Sequence, residues 1–182
     1  MSDPALGATL LTMARNAIGL EFGAEPREAT EHPALEQAGA TFVTLTQQGR
    51  LRGCIGSLEA WRPLRQDVAQ NALAAAFRDP RFPPLSAEEL PATRVEVSLL
   101  TPAEPMPYAD EADALAQLVP ERDGVILECY GRRATFLPQV WEQLPDKRQF
   151  MAHLKQKAGF AADWWSPDIR LYRYRVEKWR EA

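Results

Sequence analysis

The sequence predicts an α+β fold, a largely antiparallel sheet with flanking helices. Three observations carry this reading. β-rich segments fall in hairpin pairs, helical stripes do not follow every strand as βαβ alternation requires, and the chain is long enough to bury a core. With 182 residues, 46% of them hydrophobic, it can fill one good core or two small lobes sharing an interface.

From Pro4 to Phe22, Leu6, Leu10, Met13, Ala14, Ala17 and Ile18 recur at helical intervals, so one stripe faces the core. Between Gly23 and Gly39 the pattern dissolves around Pro26 and Pro33, an exposed connection in which His32 faces solvent. Thr41 to Leu45, a turn at Gln47, Gln48 and Gly49, and the extended stretch Arg50 to Gly56 read as a hairpin. A helix follows from Pro63 through Leu64, Val68, Ala72, Ala75 and Phe77. Asp79 to Pro84 forms a proline-stiffened loop, and Ser86 with Glu89 has the spacing of a capping box for a short helix. Arg94 to Leu100 alternates, with Val95, Val97 and Leu99 on one face and Arg94, Glu96 and Ser98 on the other.

Three prolines between Thr101 and Pro107 mark the junction between two lobes of a single domain spanning residues 1–182. Beyond it the sequence predicts a helix over Glu111 to Leu118 and strands over Gly124 to Tyr130 and Arg133 to Leu137 about a turn at Gly131. Short helices start at Gln139 and Lys147, the second capped by Asp146 and Gln149 and ended at Gly159, and Ile169 to Val176 is the closing β segment.

Composition narrows the function classes. No apolar run approaches the roughly 18 residues of a membrane span, and the N-terminus lacks a secretory pattern, so a cytoplasmic protein is expected. Cys54 and Cys129 are far apart and outside any Cys-x-x-Cys pair, which fits a reduced compartment; Cys129 alternates with Val125 and Leu127 and belongs in the core. No metal-ligand spacing occurs, and Gly53 and Gly56 stand inside a hairpin strand and not at the strand-to-helix turn of a dinucleotide site. The cofactor is left unknown. A formal charge of −4 opposes nucleic-acid binding. The best basic candidate is the run Arg170, Arg173, Arg175, Lys178 and Arg180, with Trp164, Trp165, Tyr172 and Tyr174 interleaved. It also reads as the charged surface of a terminal strand whose aromatics pack inward.

The chemistry-bearing stretch is Leu51 to Gly56. Strict alternation puts Arg52 and Cys54 on one face and Leu51 and Ile55 on the other, while Gly53 and Gly56 remove bulk so that a ligand or another backbone can approach. A guanidinium beside a thiol stabilises the thiolate, whereas a free cysteine is also a common small core residue. Glu96 is a candidate partner for Arg52 or a base, and His153 is the candidate imidazole for a Cys-His pair. Arg78, Asp79 and Arg81, held in the stiff loop, form a second candidate site, for an anionic ligand or as helix caps and loop anchors.

Leu51 to Gly56, Ala75 to Leu85 (AAFRDPRFPPL) and Thr135 to Trp141 (TFLPQVW) together resemble the AMMECR domain family, most closely the branch called AmmeMemoRadiSam system protein A. The resemblance implies two unequal lobes, with the six-residue motif at a shared cleft. It also implies a setting beside a Memo-like protein and a radical S-adenosylmethionine protein, without an assigned reaction. Two functions follow as expectations: a thiol-dependent enzyme or modification-system component, or a non-catalytic adaptor for a small ligand or a protein. Nucleic-acid binding ranks third, and no membrane role is expected.

Overall fold

In chain order the helices are α1 (Pro4–Leu20), α2 (Leu64–Phe77), α3 (Glu111–Gln117) and α4 (Lys147–Lys157). The strands are β1 (Thr41–Gln47), β2 (Arg50–Gly56), β3 (Thr93–Leu100), β4 (Glu104–Pro105), β5 (Gly124–Cys129), β6 (Arg132–Phe136), β7 (Arg170–Tyr174) and β8 (Val176–Arg180). This computed structural model describes residues 2–182. The chain divides into two compact units, one running to Leu100 and completed by Glu177–Ala182, the other Thr101–Val176. The fold is α+β, with one four-stranded sheet of order β2-β1-β3-β8 and another of order β4-β7-β5-β6.

In the first unit α1 starts where the Asp3 carboxylate accepts the N–H groups of Ala5 and Leu6, an N-cap ahead of a first-turn proline. Its Leu6, Leu10, Ala14 and Ile18 and the Leu64, Val68, Ala72, Ala75 and Ala76 stripe of α2 bury one face of the sheet, Val43, Leu45, Val95 and Val97. The alternation expected of β3 is therefore observed. Phe42, Thr44, Thr46 and Glu96 are left on the opposite, open face. β1 and β2 join through Gln48 and Gly49 at φ of 51° and 75°, the left-handed pair that matches strand twist in two-residue hairpins.

A buried polar cluster ties α2 to the start of β1. Asp67, with no exposed surface, accepts the Thr41 N–H and hydroxyl at 2.7 Å each, the Ser57 hydroxyl at 2.6 Å and Arg62 Nε at 2.8 Å. Asn71 Nδ2 donates to Thr41 O and to Asp67 at 3.0 Å each. The carboxylate is saturated, so its burial is compensated by charge-assisted bonds.

In the second unit Val125, Leu127, Cys129, Ala134 and Leu171 of the sheet pack with Ala114, Phe150, Met151 and Leu154 of the helices. Trp141 stacks on Phe150 at 3.7 Å between centroids, and its indole N–H donates to Asp123 O. Cys129 is a core residue, as expected, and burial pushes its thiol pKa up.

Several local expectations are corrected. His32 is half-buried, not solvent-facing: its Nδ1 accepts the Ala34 N–H at the start of a 3-10 turn, Pro33–Glu36, and its Nε2 lies 2.9 Å from Asp3. The helix after Ser86 is only a turn and a 3-10 segment, Leu90–Ala92, because Pro91 cannot continue an α-helix. The segment from Gln139 is likewise 3-10, over Pro138–Glu142. Without bearing against the junction expected at 101–107, that proline stretch also holds β4, paired with β7. The closing β segment is two strands on two sheets, since the chain leaves β7 at Tyr174 and enters the first sheet as β8.

Removing the hub of the buried cluster tests its weight. Asp67→Ala leaves Arg62 and the Thr41 N–H without their acceptor, and urea denaturation should show a loss of about 3–5 kcal/mol.

Candidate functional site

The motif strand β2 lies at the edge of its sheet, and a β-bulge shapes it. Leu45 pairs with Gly53 and Thr46 with Leu51, so Arg52 has no partner residue. The bulge re-aims side chains. Leu51 joins Cys54 on the open face, Ile55 packs toward the core, and Arg52 leaves the row altogether. The expected face shared by Arg52 and Cys54 is therefore corrected, because strict alternation fails at the extra residue.

Arg52 is buried and finds its carboxylate in Glu89, not Glu96. Nε donates to Glu89 Oε2 at 2.8 Å, and Nη2 donates to Oε1 at 3.2 Å and to Pro83 O at 2.9 Å. Gln47 Nε2 and the Ser86 N–H also donate to Glu89. Arg52 first, then Gln47, hold the Glu89 carboxyl down to about 2. Glu96 pairs with Arg180 Nη2 at 3.0 Å.

Cys54 is gripped through its backbone. Its N–H donates to Asp79 Oδ2 at 2.9 Å, and its carbonyl accepts Arg81 Nη2 at 3.4 Å. Arg81 returns to the same carboxylate with Nε at 3.0 Å and Nη2 at 2.7 Å, and its own N–H donates to Oδ1. The Arg81 guanidinium, with the Cys54 and Arg81 N–H groups, holds the Asp79 carboxyl well below the usual carboxylate range despite its burial. A carboxylate so saturated cannot serve as a base near neutral pH. Asp79 and Arg81 stand where a neighbouring strand's carbonyl and N–H would bond to an edge strand.

The half-buried thiol of Cys54 lies 3.3 Å from Thr44 Oγ1. Thr44 is also the register partner of Glu96, so Cys54, Thr44 and Glu96 form a row across three strands of the open face. Thr44, on the middle strand, therefore stands between Cys54 and Glu96, and the Glu96 carboxylate is engaged by Arg180. Phe82 lies under both arginines, 5.8 Å from Arg52 and 5.5 Å from Arg81. His153 is exposed on α4 in the second unit, and Arg78 is exposed and makes no ion pair among the described residues.

The two glycines serve the protein's own packing. A Cβ on Gly53 would lie 2.1 Å from the Ala75 carbonyl oxygen of α2, and one on Gly56 would lie 2.2 Å from the Phe42 ring. Of the two expectations for these glycines, a ligand or another backbone, helix backbone is what approaches Gly53, and an aromatic ring approaches Gly56. Of the basic C-terminal run, Arg170 and Arg173 lie on β7 of the second sheet and Lys178 and Arg180 on β8 of the first. Among the described residues no three His, Cys, Asp or Glu side chains converge as a metal site, and no helix is long and apolar enough to cross a membrane. Thr44 and Phe82 carried no signal of their own in the sequence; Glu89 did, as a capping residue, and it both accepts the Ser86 N–H and binds Arg52, 37 positions away.

The AMMECR1 family model matches residues 11–179, across the motif hairpin, α2, the Asp79–Arg81 loop and both sheets. This chain belongs to the AMMECR1 family. A protein of Methanothermobacter thermautotrophicus is 38% identical over 180 residues, covering 96% of this chain and 94% of its own. One from Thermotoga maritima is 36% identical over 158 residues, covering 86% of each chain. The crystal structure of PH0010 from Pyrococcus horikoshii superposes with a TM-score of 0.79 at 34% identity, covering all of this AMMECR1 chain and 93% of that one.

Two variants probe the platform. Gly53→Ala forces α2 off β2 and should cost about 1–3 kcal/mol or more in urea denaturation. Glu89→Gln should be less stable than the parent at pH 7. Because the folded carboxyl is depressed from 4.5 to about 2, its contribution is complete above the unfolded value and disappears as pH falls through the folded one. The gap between the two proteins should therefore narrow on acidification, and a constant gap would contradict the Arg52–Glu89 assignment.

Proposed function

We propose that this AMMECR1 chain is a thiol-dependent component of a modification system, with Cys54 as the reacting group. Its partners in this reading are a Memo-like protein and a radical S-adenosylmethionine protein, as the sequence resemblance implies. The observation that carries the proposal is the asymmetry at Cys54: the backbone N–H and carbonyl are both held by Asp79 and Arg81, while the thiol is only half-buried beside the Thr44 hydroxyl. A nucleophile works best on a fixed support. Arg81, 55% exposed in its side chain, is the cation against the Cys54 backbone, the place expected of Arg52. In the step proposed, the thiol releases its proton to solvent, the sulfur bonds to an electrophilic carbon, and the leaving group takes the displaced electron pair. Glu96, engaged by Arg180, has no part in this step.

A second reading, a binding adaptor, rests on a different observation. Leu51, Leu58 and Trp61 on and just after the motif strand are 43%, 48% and 70% exposed. Exposed apolar side chains of this size are suited to the apolar surface of a partner protein.

Iodoacetamide alkylation of the native protein, followed by peptide mass spectrometry from pH 6 to 9, tests the first reading. Cys54 should be labelled faster than a free thiol at neutral pH, Cys129 should be protected, and Arg81→Gln should slow Cys54 several-fold. Labelling of Cys54 no faster than a free thiol removes the nucleophile. If Cys54→Ser retains full function while Trp61→Ala loses it, the adaptor reading stands in its place.

A further inference from the structure

Tyr130 is out of keeping with its position. With Gly131 it forms the two-residue turn between β5 and β6, at φ of 50° and 76°. That turn favours Asn or Asp followed by Gly, because a bulky side chain in the left-handed region is strained. Burial does not explain the choice, since Tyr130 is 67% exposed. The ring is nonetheless fixed. Its hydroxyl donates to Asp168 Oδ2 at 2.8 Å and lies 3.3 Å from Ser166 Oγ. It leans on Trp164 at 6.1 Å, and Trp164 stacks on Phe160 at 4.5 Å. Arg132 lies 5.2 Å over Phe160 and donates to Gly159 O. A strained aromatic, exposed yet anchored, has the attributes of a recognition surface.

Tyr130 lines a cavity of about 690 Å³ together with Arg132, Arg133, Asp168 and Arg170, within the range of small-ligand pockets. The charges do not cancel there. Glu128 faces Arg133 across one strand and Arg170 across the other, and it pairs with Arg133 at 3.3 Å. Asp168 is engaged by the Tyr130 phenol. Arg170 makes no ion pair among the described residues, which leaves an unpaired guanidinium in the same cavity as the exposed Tyr130 ring.

We propose that this cavity binds a planar aromatic anion of the mononucleotide class, with the base stacked on Tyr130 and the phosphate against Arg170. Aromatic stacking and a guanidinium are complementary to the two halves of such a ligand. The proposal is independent of the thiol chemistry at Cys54.

Isothermal titration of the full chain with adenosine 5′-monophosphate, adenosine and inorganic phosphate tests it. The monophosphate should bind saturably with Kd on the order of 1 mM or tighter, and adenosine and phosphate each about tenfold more weakly. Arg170→Gln should weaken the monophosphate about tenfold and reduce its salt dependence. Tyr130→Asn suits the left-handed backbone, so it should unfold no lower than the parent while losing the ligand; Tyr130→Phe should keep it. Absence of saturable heat at about 10 mM monophosphate overturns the proposal. So does phosphate binding as tightly as the nucleotide, or undiminished binding by Tyr130→Asn. A Tyr130→Asn protein less stable than the parent would show the ring placed for folding and would also count against it.

Discussion

The close approach of α2 to β2 is the constraint on which the motif region depends. At Gly53 helix backbone and strand backbone meet with no room for a side chain, the Ala75 carbonyl oxygen occupying the space. This contact brings the end of α2 beside the edge strand, so the residues that follow Phe77 emerge within reach of it. Asp79 then meets the Cys54 N–H, Arg81 spans both, and Pro83 offers its carbonyl to Arg52. The Asp67 cluster holds the other end of the same helix to the start of β1. A rigid helix pinned at two points leaves the hairpin little freedom.

The outer edge of β2 is thereby closed. An uncovered edge strand invites pairing with another chain, and here a carboxylate and a guanidinium occupy the hydrogen-bonding positions of Cys54. The bulge at Arg52 contributes in the same sense, since it breaks the regular ladder and sends a buried cation to Glu89. The six-residue motif is best understood as part of this closure. Two of its residues admit close packing, one anchors a loop, and one presents a thiol on the face left open.

The second unit solves a similar hairpin problem with a different choice. Gln48 and Tyr130 occupy the same left-handed position in their respective turns. Gln48 is an unremarkable polar residue there, while Tyr130 places a large ring in solvent and ties its hydroxyl to Asp168. Both tips accept a non-glycine left-handed residue, and it is the exposed, anchored ring at Tyr130 that argues for a role outside the fold.

The helical stripes of α1 and α2, the alternation of β3, the two hairpins and the core position of Cys129 were legible in the sequence. Each follows from steric preferences acting over a few residues, and the resemblance carried by the motif and its loop led to the correct family. The tertiary structure alone decided the partners. Arg52 goes to Glu89 because a bulge, invisible to alternation, turns it out of its row. The glycines are filled by Ala75 and Phe42 because helix and ring arrive from elsewhere in the chain. Val176 begins a strand of the first sheet because a hydrogen-bonding edge awaits it beside β3. Local sequence determines what each segment is, and contacts between residues tens of positions apart determine what each side chain meets; at the Leu51–Gly56 motif the second decided the site.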